Sequence, residues 1–464
     1  MLAFPFTAAR EPVKHVFKFR WLTRNGEEYS REMKKEEKKK YPEVWYKLDL
    51  SAIVYPTLQR KDFSSVYRLS VLLKEPVQPD ILQEAVDRVL PRFPTYKAAI
   101  RKGLFWRYLE PNHRPGPFVK PDINNPCMPM PFKTNNRYLI RFYYYGRRIS
   151  LEAHHSLGDG TGGMCVLQTV TAEYLRLLGA EIECGGYVLD ITKEPDEGEL
   201  EDAYMRYATS KVRPPRPKER AYRVRGTKEP FYTLNIIDGI MPAPQVLEAA
   251  KRYGATVTEY LDAVLLYALL QHQLNTPHIG LRPVKIAMPV NLRRFFPSKT
   301  LRNFITMVYP GIDPRMGEYS FEEIVAQVRG YMRYYLNEKF LRGDITTNAA
   351  TQRNPFIRLV PLFIKDFVVR RFYTKVQDRN SSAGLTNMGV LQVPKSMEPF
   401  IERVDICMGQ PFSNRTNCAI ISFKDILTIN FASSIKETDV ERYFFRKLVQ
   451  EGIQVKIESN RNKL

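Results

Sequence analysis

The chain has 464 residues, 44% of them apolar and 12% aromatic, with 71 Lys and Arg against 50 Asp and Glu, a formal net charge of +21. A chain of this length and apolar content buries a large core and normally divides into two domains. No run nears the roughly 18 apolar residues of a membrane span, and residues 1–10 offer too short an apolar stretch for a signal peptide. The five cysteines (Cys127, Cys165, Cys184, Cys407 and Cys418) are scattered without metal-ligand spacing. A cytoplasmic location and reduced, mostly buried thiols are expected.

In chain order, residues 1–40 hold eleven Lys or Arg against six Asp or Glu and end in Lys34-Lys35-Glu36-Glu37-Lys38-Lys39-Lys40, a solvated helix face within a basic extension. The spacing then predicts a strand at Val66–Leu73, a helix at 79–90 with Ile81, Leu82, Ala85, Val86 and Val89 inward, and a strand around 104–108. Residues 138–145 and 148–153 alternate as two strands about a Gly146-Arg147 turn. Met164, Leu167, Val170, Tyr174, Leu175 and Leu178 follow at helical spacing until Gly179. Residues 190–202 are acidic, and 211–225 carry seven basic residues and one acidic, broken by Pro214, Pro215 and Pro217. An exposed connector at 191–228 therefore divides a first lobe at 41–190 from a second at 229–464. The second repeats the order of the first: strand at 231–237, helices at 243–253 and Val257–Leu274, strand at 284–290. Two α/β lobes are the predicted architecture.

Between the strand at 148–153 and the helix that follows lies His154-His155-Ser156-Leu157-Gly158-Asp159-Gly160. A neutral imidazole at a strand end can take a proton from a hydroxyl or amine, and attack of that group on a thioester then needs no protein nucleophile. Asp159 is too near His155 along the chain to act as a separate acid, but can fix the loop by pairing with an arginine. Two plainer readings stand beside this one. The histidines can end a strand with Asp159 capping the helix, or two histidines and an aspartate can ligate zinc or iron, although neighbours on a strand point to opposite faces.

The seven residues resemble the HHxxxDG motif of the CoA-dependent acyltransferase and condensation-domain superfamily, which includes chloramphenicol acetyltransferase and alcohol acetyltransferases. Met288-Pro289-Val290-Asn291-Leu292-Arg293 with Asn303-Phe304, and Thr386-Asn387-Met388-Gly389-Val390, resemble segments of that family's second lobe. The resemblance spans about residue 41 to the C-terminus. It implies two chloramphenicol-acetyltransferase-like α/β lobes with mixed sheets flanked by helices and an active-site tunnel between them. His155 would be the general base, His154 its supporting neighbour, and Asp159 a buried ion-pair partner of Arg293, with Arg294 as competitor; Gly160 belongs to the same motif. Asn387 would donate to a developing oxyanion, although Asn-Met-Gly is also turn chemistry. Thr161 would face the tunnel or cap the helix, and a Cys165 nucleophile is unneeded. No plant-type DFGWG signature is present, which places the chain nearer the alcohol acetyltransferases and stand-alone condensation-like enzymes.

The expected activity is therefore acyl transfer from acyl-CoA, acetyl or short-chain, to an alcohol or amine. No metal and no resident cofactor are implied; acyl-CoA or an acyl-carrier pantetheine thioester is a co-substrate. The basic balance suits CoA phosphates, an acidic acyl carrier protein or peripheral membrane contact. Nucleic acid would rest on charge alone, without a binding signature, and is not expected. A monomer is expected. A condensation-type enzyme with a carrier-bound donor, and a non-catalytic carrier-binding scaffold, are the competing functions.

Overall fold

The computed structural model describes residues 45–461 apart from 60–62, 213, 215–218, 231–232, 278–279, 376–379 and 410–414. The basic extension at 1–40, with His15, and His278 lie outside the described residues. Short β1 (Tyr46–Lys47) and α1 (Val54–Leu58) lead into β2 (Val66–Leu73), where the expected strand forms. Helix α2 (Pro79–Val89) starts on a proline, whose missing N–H is harmless in a first turn. It buries Leu82, Ala85, Val86 and Val89 on one face, with Ile81 half-buried.

The strand expected around 104–108 is instead the turn and start of a hairpin. β3 (Ala98–Lys102) and β4 (Arg107–Pro111) pair antiparallel, and β4 also pairs with β1. Gly103 donates its N–H to Trp106 O at 2.8 Å, so the apolar Leu104 and Phe105 sit at the hairpin tip rather than in a ladder. β5 (Val119–Pro121) is followed by β6 (Ile140–Tyr145) and β7 (Arg148–His154), the predicted hairpin, turning at Gly146 with φ +54°. Helix α3 (Gly160–Leu177) comes next.

After α4 (Glu197–Leu200) and α5 (Ala203–Tyr207), the chain enters β8 (Asn235–Pro242), a later strand than the sequence pattern placed at 231–237. Helices α6 (Ala243–Arg252) and α7 (Val257–Leu274) match expectation. A capping box between Thr256 and Glu259 starts α7, which is buried on nearly every face. β9 (Val284–Asn291), β10 (Ile305–Val308) and β11 (Gly311–Ile312) precede four helices: α8 (Phe321–Tyr335), α9 (Glu338–Arg353), α10 (Pro355–Leu359) and α11 (Leu362–Lys375). The chain closes with β12 (Ala383–Val390), β13 (Ile401–Met408), β14 (Thr416–Phe423), β15 (Ile426–Ser433), α12 (Asp439–Gln450) and β16 (Lys456–Ser459).

Two larger sheets result. One runs β13-β2-β7-β6-β5; the other runs β10-β9-β12-β14-β15-β8-β16, with β11 on β9. Both are mixed: β5 is parallel to β6, and β12 is parallel to β9 and β14, while the remaining pairs are antiparallel. Helices α2 and α3 pack together beside the first sheet; α7 packs with α8 and α12 beside the second. Strand β13 crosses over, pairing with β2 although β12 and β14, on either side of it in sequence, lie in the other sheet. The tail of the stretch expected as an exposed connector is buried. Ala221, Tyr222 and Val224 are enclosed, the Tyr222 hydroxyl lies 2.6 Å from His272 Nδ1, and the Tyr222 N–H donates to Pro283 O. Apolar residues interleaved with the arginines at 221–224 explain the difference, since charge counting overlooks them.

Candidate active site

Strand β7 delivers the two histidines. Its register against β2 places His154 opposite Val66, and the His155 N–H donates to Ser65 O at 2.8 Å. The His154 ring is fully buried, edge-on to Phe132, with Nδ1 accepting from the Ser156 N–H at 3.2 Å. The His155 ring instead lies between two tyrosines, stacked on Tyr55 at 4.8 Å and tilted against Tyr67 at 4.7 Å. The rings thus occupy separate surroundings, as strand alternation requires. Among the described residues no group of three His, Cys, Asp or Glu side chains is placed to hold a metal ion.

Asp159 combines both roles that its position suggested. As N-cap of α3, its Oδ1 accepts from the N–H groups of Thr161 and Gly162. Its Oδ2 accepts from Arg293 Nη1 at 2.8 Å and from the Phe304 N–H at 2.9 Å. The guanidinium uses its remaining donors on Thr300 O, Arg302 O and Asn291 Oδ1, so it ties the loop at 300–302 to the start of α3. Arg294, the competitor, is exposed.

A second link was missed by sequence reasoning, although its residues were in view. Asn303 Nδ2 donates to the backbone oxygen of His155 at 2.9 Å and to the fully buried Asp49. Arg302 reaches Lys47 O and lies 3.8 Å from Asp49. Asn303-Phe304, in the segment that follows Arg293, was the available signal. Tyr55 and Tyr67 had none, because no spacing relates them to the motif.

Burial lowers the pKa of the His155 imidazole to about 4, against the opposing pull of Asp159 and the Asn303 side chain; burial and His155 take His154 to about 3. Both rings are therefore neutral at cellular pH. Of the two His155 nitrogens, Nδ1 is enclosed without a hydrogen-bond partner, while the residue as a whole is half-buried.

Glycines let the motif approach its neighbours. A Cβ on Gly162 would lie 1.9 Å from Leu301 O, while one on Gly160 would meet the Met388 thioether at 2.8 Å. Of Asn387-Met388-Gly389, it is thus Met388 that reaches the motif. Asn387 donates to Thr258 Oγ1 and accepts from the Gly389 N–H, closing a turn in which Gly389 has φ +77°. Thr161 Oγ1 accepts from Asn291 Nδ2. Cys165 is buried, its thiol donating to Tyr187 O, and burial pushes that thiol up to about 12, which disfavours the thiolate.

The fold is that of the two-lobed acetyltransferases and condensation domains, with mixed sheets flanked by helices. No family model matches the chain, and no curated protein does. Among solved structures, TRI101 from F. graminearum, complexed with coenzyme A and deoxynivalenol, aligns at TM-score 0.62 and 12% identity, over 89% of this chain and 99% of that one. TRI3 trichothecene 15-O-acetyltransferase from Fusarium sporotrichioides aligns at 0.56 and 13%, over 88% and 94%. The condensation domain from the monacolin K polyketide synthase MokA gives 0.53 and 12%, over 88% and 96%. At these identities the likeness carries the fold.

Proposed function

We propose that this protein transfers an acyl group from a thioester to a hydroxyl or amine, with His155 as the general base. The observation that carries this reading is the neutral, half-buried imidazole held between Tyr55 and Tyr67, directly before a helix whose N-cap is locked by Arg293. Nε2 takes the proton from the acceptor O–H or N–H as that atom attacks the thioester carbonyl carbon. The tetrahedral adduct collapses with cleavage of the C–S bond, and the departing thiolate takes the proton back from Nε2–H. No nucleophile from the chain is needed, in keeping with the disfavoured thiolate of Cys165. The donor is acyl-CoA, or a pantetheine thioester on a carrier protein; its phosphates suit the +21 charge. Donor and acceptor would enter a tunnel between the lobes.

Purified protein is incubated with acetyl-CoA and a panel of alcohols and amines, and free thiol is followed beside His155→Ala. Acceptor-dependent release that falls on the order of 10² to 10⁴-fold in the variant supports the reading, that being the usual contribution of a general base. Silence of both folded proteins toward CoA and carrier-bound donors alike overturns it, in favour of a non-catalytic carrier-binding scaffold.

A further inference from the structure

Helix α11 is held to the body by polar contacts beside half-buried Leu362 and Val369: Asp366 accepts from Arg107 and Thr57, and the exposed Arg370 donates from Nε to Thr57 O at 2.8 Å. Its outward stripe is apolar, with Phe363, Ile364, Phe367, Val368 and Phe372 at helical spacing; Phe363 is 72% and Phe367 68% exposed. Short α10 extends the stripe with Phe356, 80% exposed, and Leu359. The β3–β4 hairpin tip adds Leu104 and Trp106, both exposed. It is fastened to α11 by Leu362 N–H on Leu104 O at 2.8 Å and Lys365 Nζ on Phe105 O at 2.9 Å. Three elements are thus bonded into one apolar surface. Clusters of this kind are rare on proteins that have no partner for them.

Charge says what the partner is. From residue 353 to 371 the sequence holds Arg353, Arg358, Lys365, Arg370 and Arg371 against Asp366 alone, and that carboxylate is already neutralised by Arg107. A second copy of a chain carrying +21 would bring basic surface onto basic surface. An acidic protein would match the charge but offers little to five outward aromatic and aliphatic side chains on one helix. Apolar rings amid basic residues, with tryptophan at the margin, match the acyl-chain boundary beneath anionic headgroups.

We infer that the outward face of α10, α11 and the hairpin tip at 104–106 docks on the surface of an anionic lipid bilayer. The surface is independent of the acyl-transfer reading but lies close to its site. Thr57, which anchors α11, is two residues from Tyr55, the ring stacked on His155.

The full chain is floated with vesicles of phosphatidylcholine alone and of phosphatidylcholine mixed with phosphatidylserine, beside the double variant Phe363→Asp/Phe367→Asp and the variant His155→Ala. Both side chains in the double variant are exposed, and circular dichroism and melting confirm its fold. The expected result is binding to the mixed vesicles that weakens with salt, falls at least tenfold in the double variant, and is unchanged in His155→Ala. Each basic residue engaged is expected to contribute about fivefold. Equal flotation of parent and double variant, or no parental binding to mixed vesicles at low salt, overturns the inference. A self-associating parent that dissociates in the double variant without vesicle binding also overturns it, and identifies a second copy as the occupant.

Discussion

Replacing Asp159 with alanine removes the acceptor for four donors at once: the N–H groups of Thr161, Gly162 and Phe304, and Arg293 Nη1. Losing a helix N-cap costs about 1 kcal/mol, and breaking a buried pair from one side costs about 3–5 kcal/mol. Arg293 keeps its backbone acceptors on Thr300 and Arg302, which leaves it partly solvated by the protein, so the lower half of that range applies. The sum is about 4 kcal/mol, or a fall in Tm of about 4–5 °C for a chain of this size. Asp159→Asn keeps an oxygen for the cap and loses the charge, and is expected at about half that cost. Thermal melting followed by near-ultraviolet circular dichroism, with urea titration as a second measure, separates the two variants. The double variant Asp159→Asn/Arg293→Met should be less damaged than the sum of its parts, because the guanidinium that is left unpaired is then absent. An Asp159→Ala protein that melts within about 1 °C of the parent would refute the clamp.

With His155 lowered to about 4, kcat/KM is expected to stay level from neutral pH down to about 5 and halve near pH 4; a midpoint near the ordinary histidine value of 6.5 would show a solvated ring. Stability carries the same sign. Both histidines bind protons more readily when unfolded, so their contribution is full above about pH 6.5 and is lost as pH falls toward 4 and then 3, at about 1.4 kcal/mol per pH unit for each. Gly162→Ala drives a Cβ onto Leu301 O and should yield little folded protein, while Gly160→Ala meets only the flexible Met388 and should fold; equal yields from an expression and melting comparison would contradict this. Asn387→Ala should lower kcat no more than about tenfold, since its amide bonds Thr258 and Gly389; a loss of 10²–10³ would restore it as an oxyanion donor.

Periodicity carried the reading where an element is amphipathic or sharply bounded. Val66–Leu73, the hairpin at Gly146 and Val257–Leu274 lie where their patterns put them. It failed at 104–108 because apolar residues there face solvent beside α11, a surface chemistry that resembles a strand in one dimension. The seven-residue motif exposed the histidines and Asp159, and local spacing made Asp159 legible as a cap. The partners across the site were less legible. Arg293 and Asn303 come from segments more than 130 residues away, and Tyr55 stacks on His155 from a five-residue helix with no pattern of its own.

Strand β13 has a consequence for synthesis. Until it arrives, the edge of the first sheet is β2, buried along nearly its whole length in the finished protein, with one row of backbone donors and acceptors open. Roughly 330 residues separate the end of β2 from the end of β13, which at ribosomal speeds is roughly 20–70 s of waiting. During that interval a nascent chain carries an apolar, unpaired edge of the kind that recruits other strands. A fragment ending before β13 is therefore expected to aggregate on expression, and the yield of the full chain in a cell should depend on chaperones that bind growing chains.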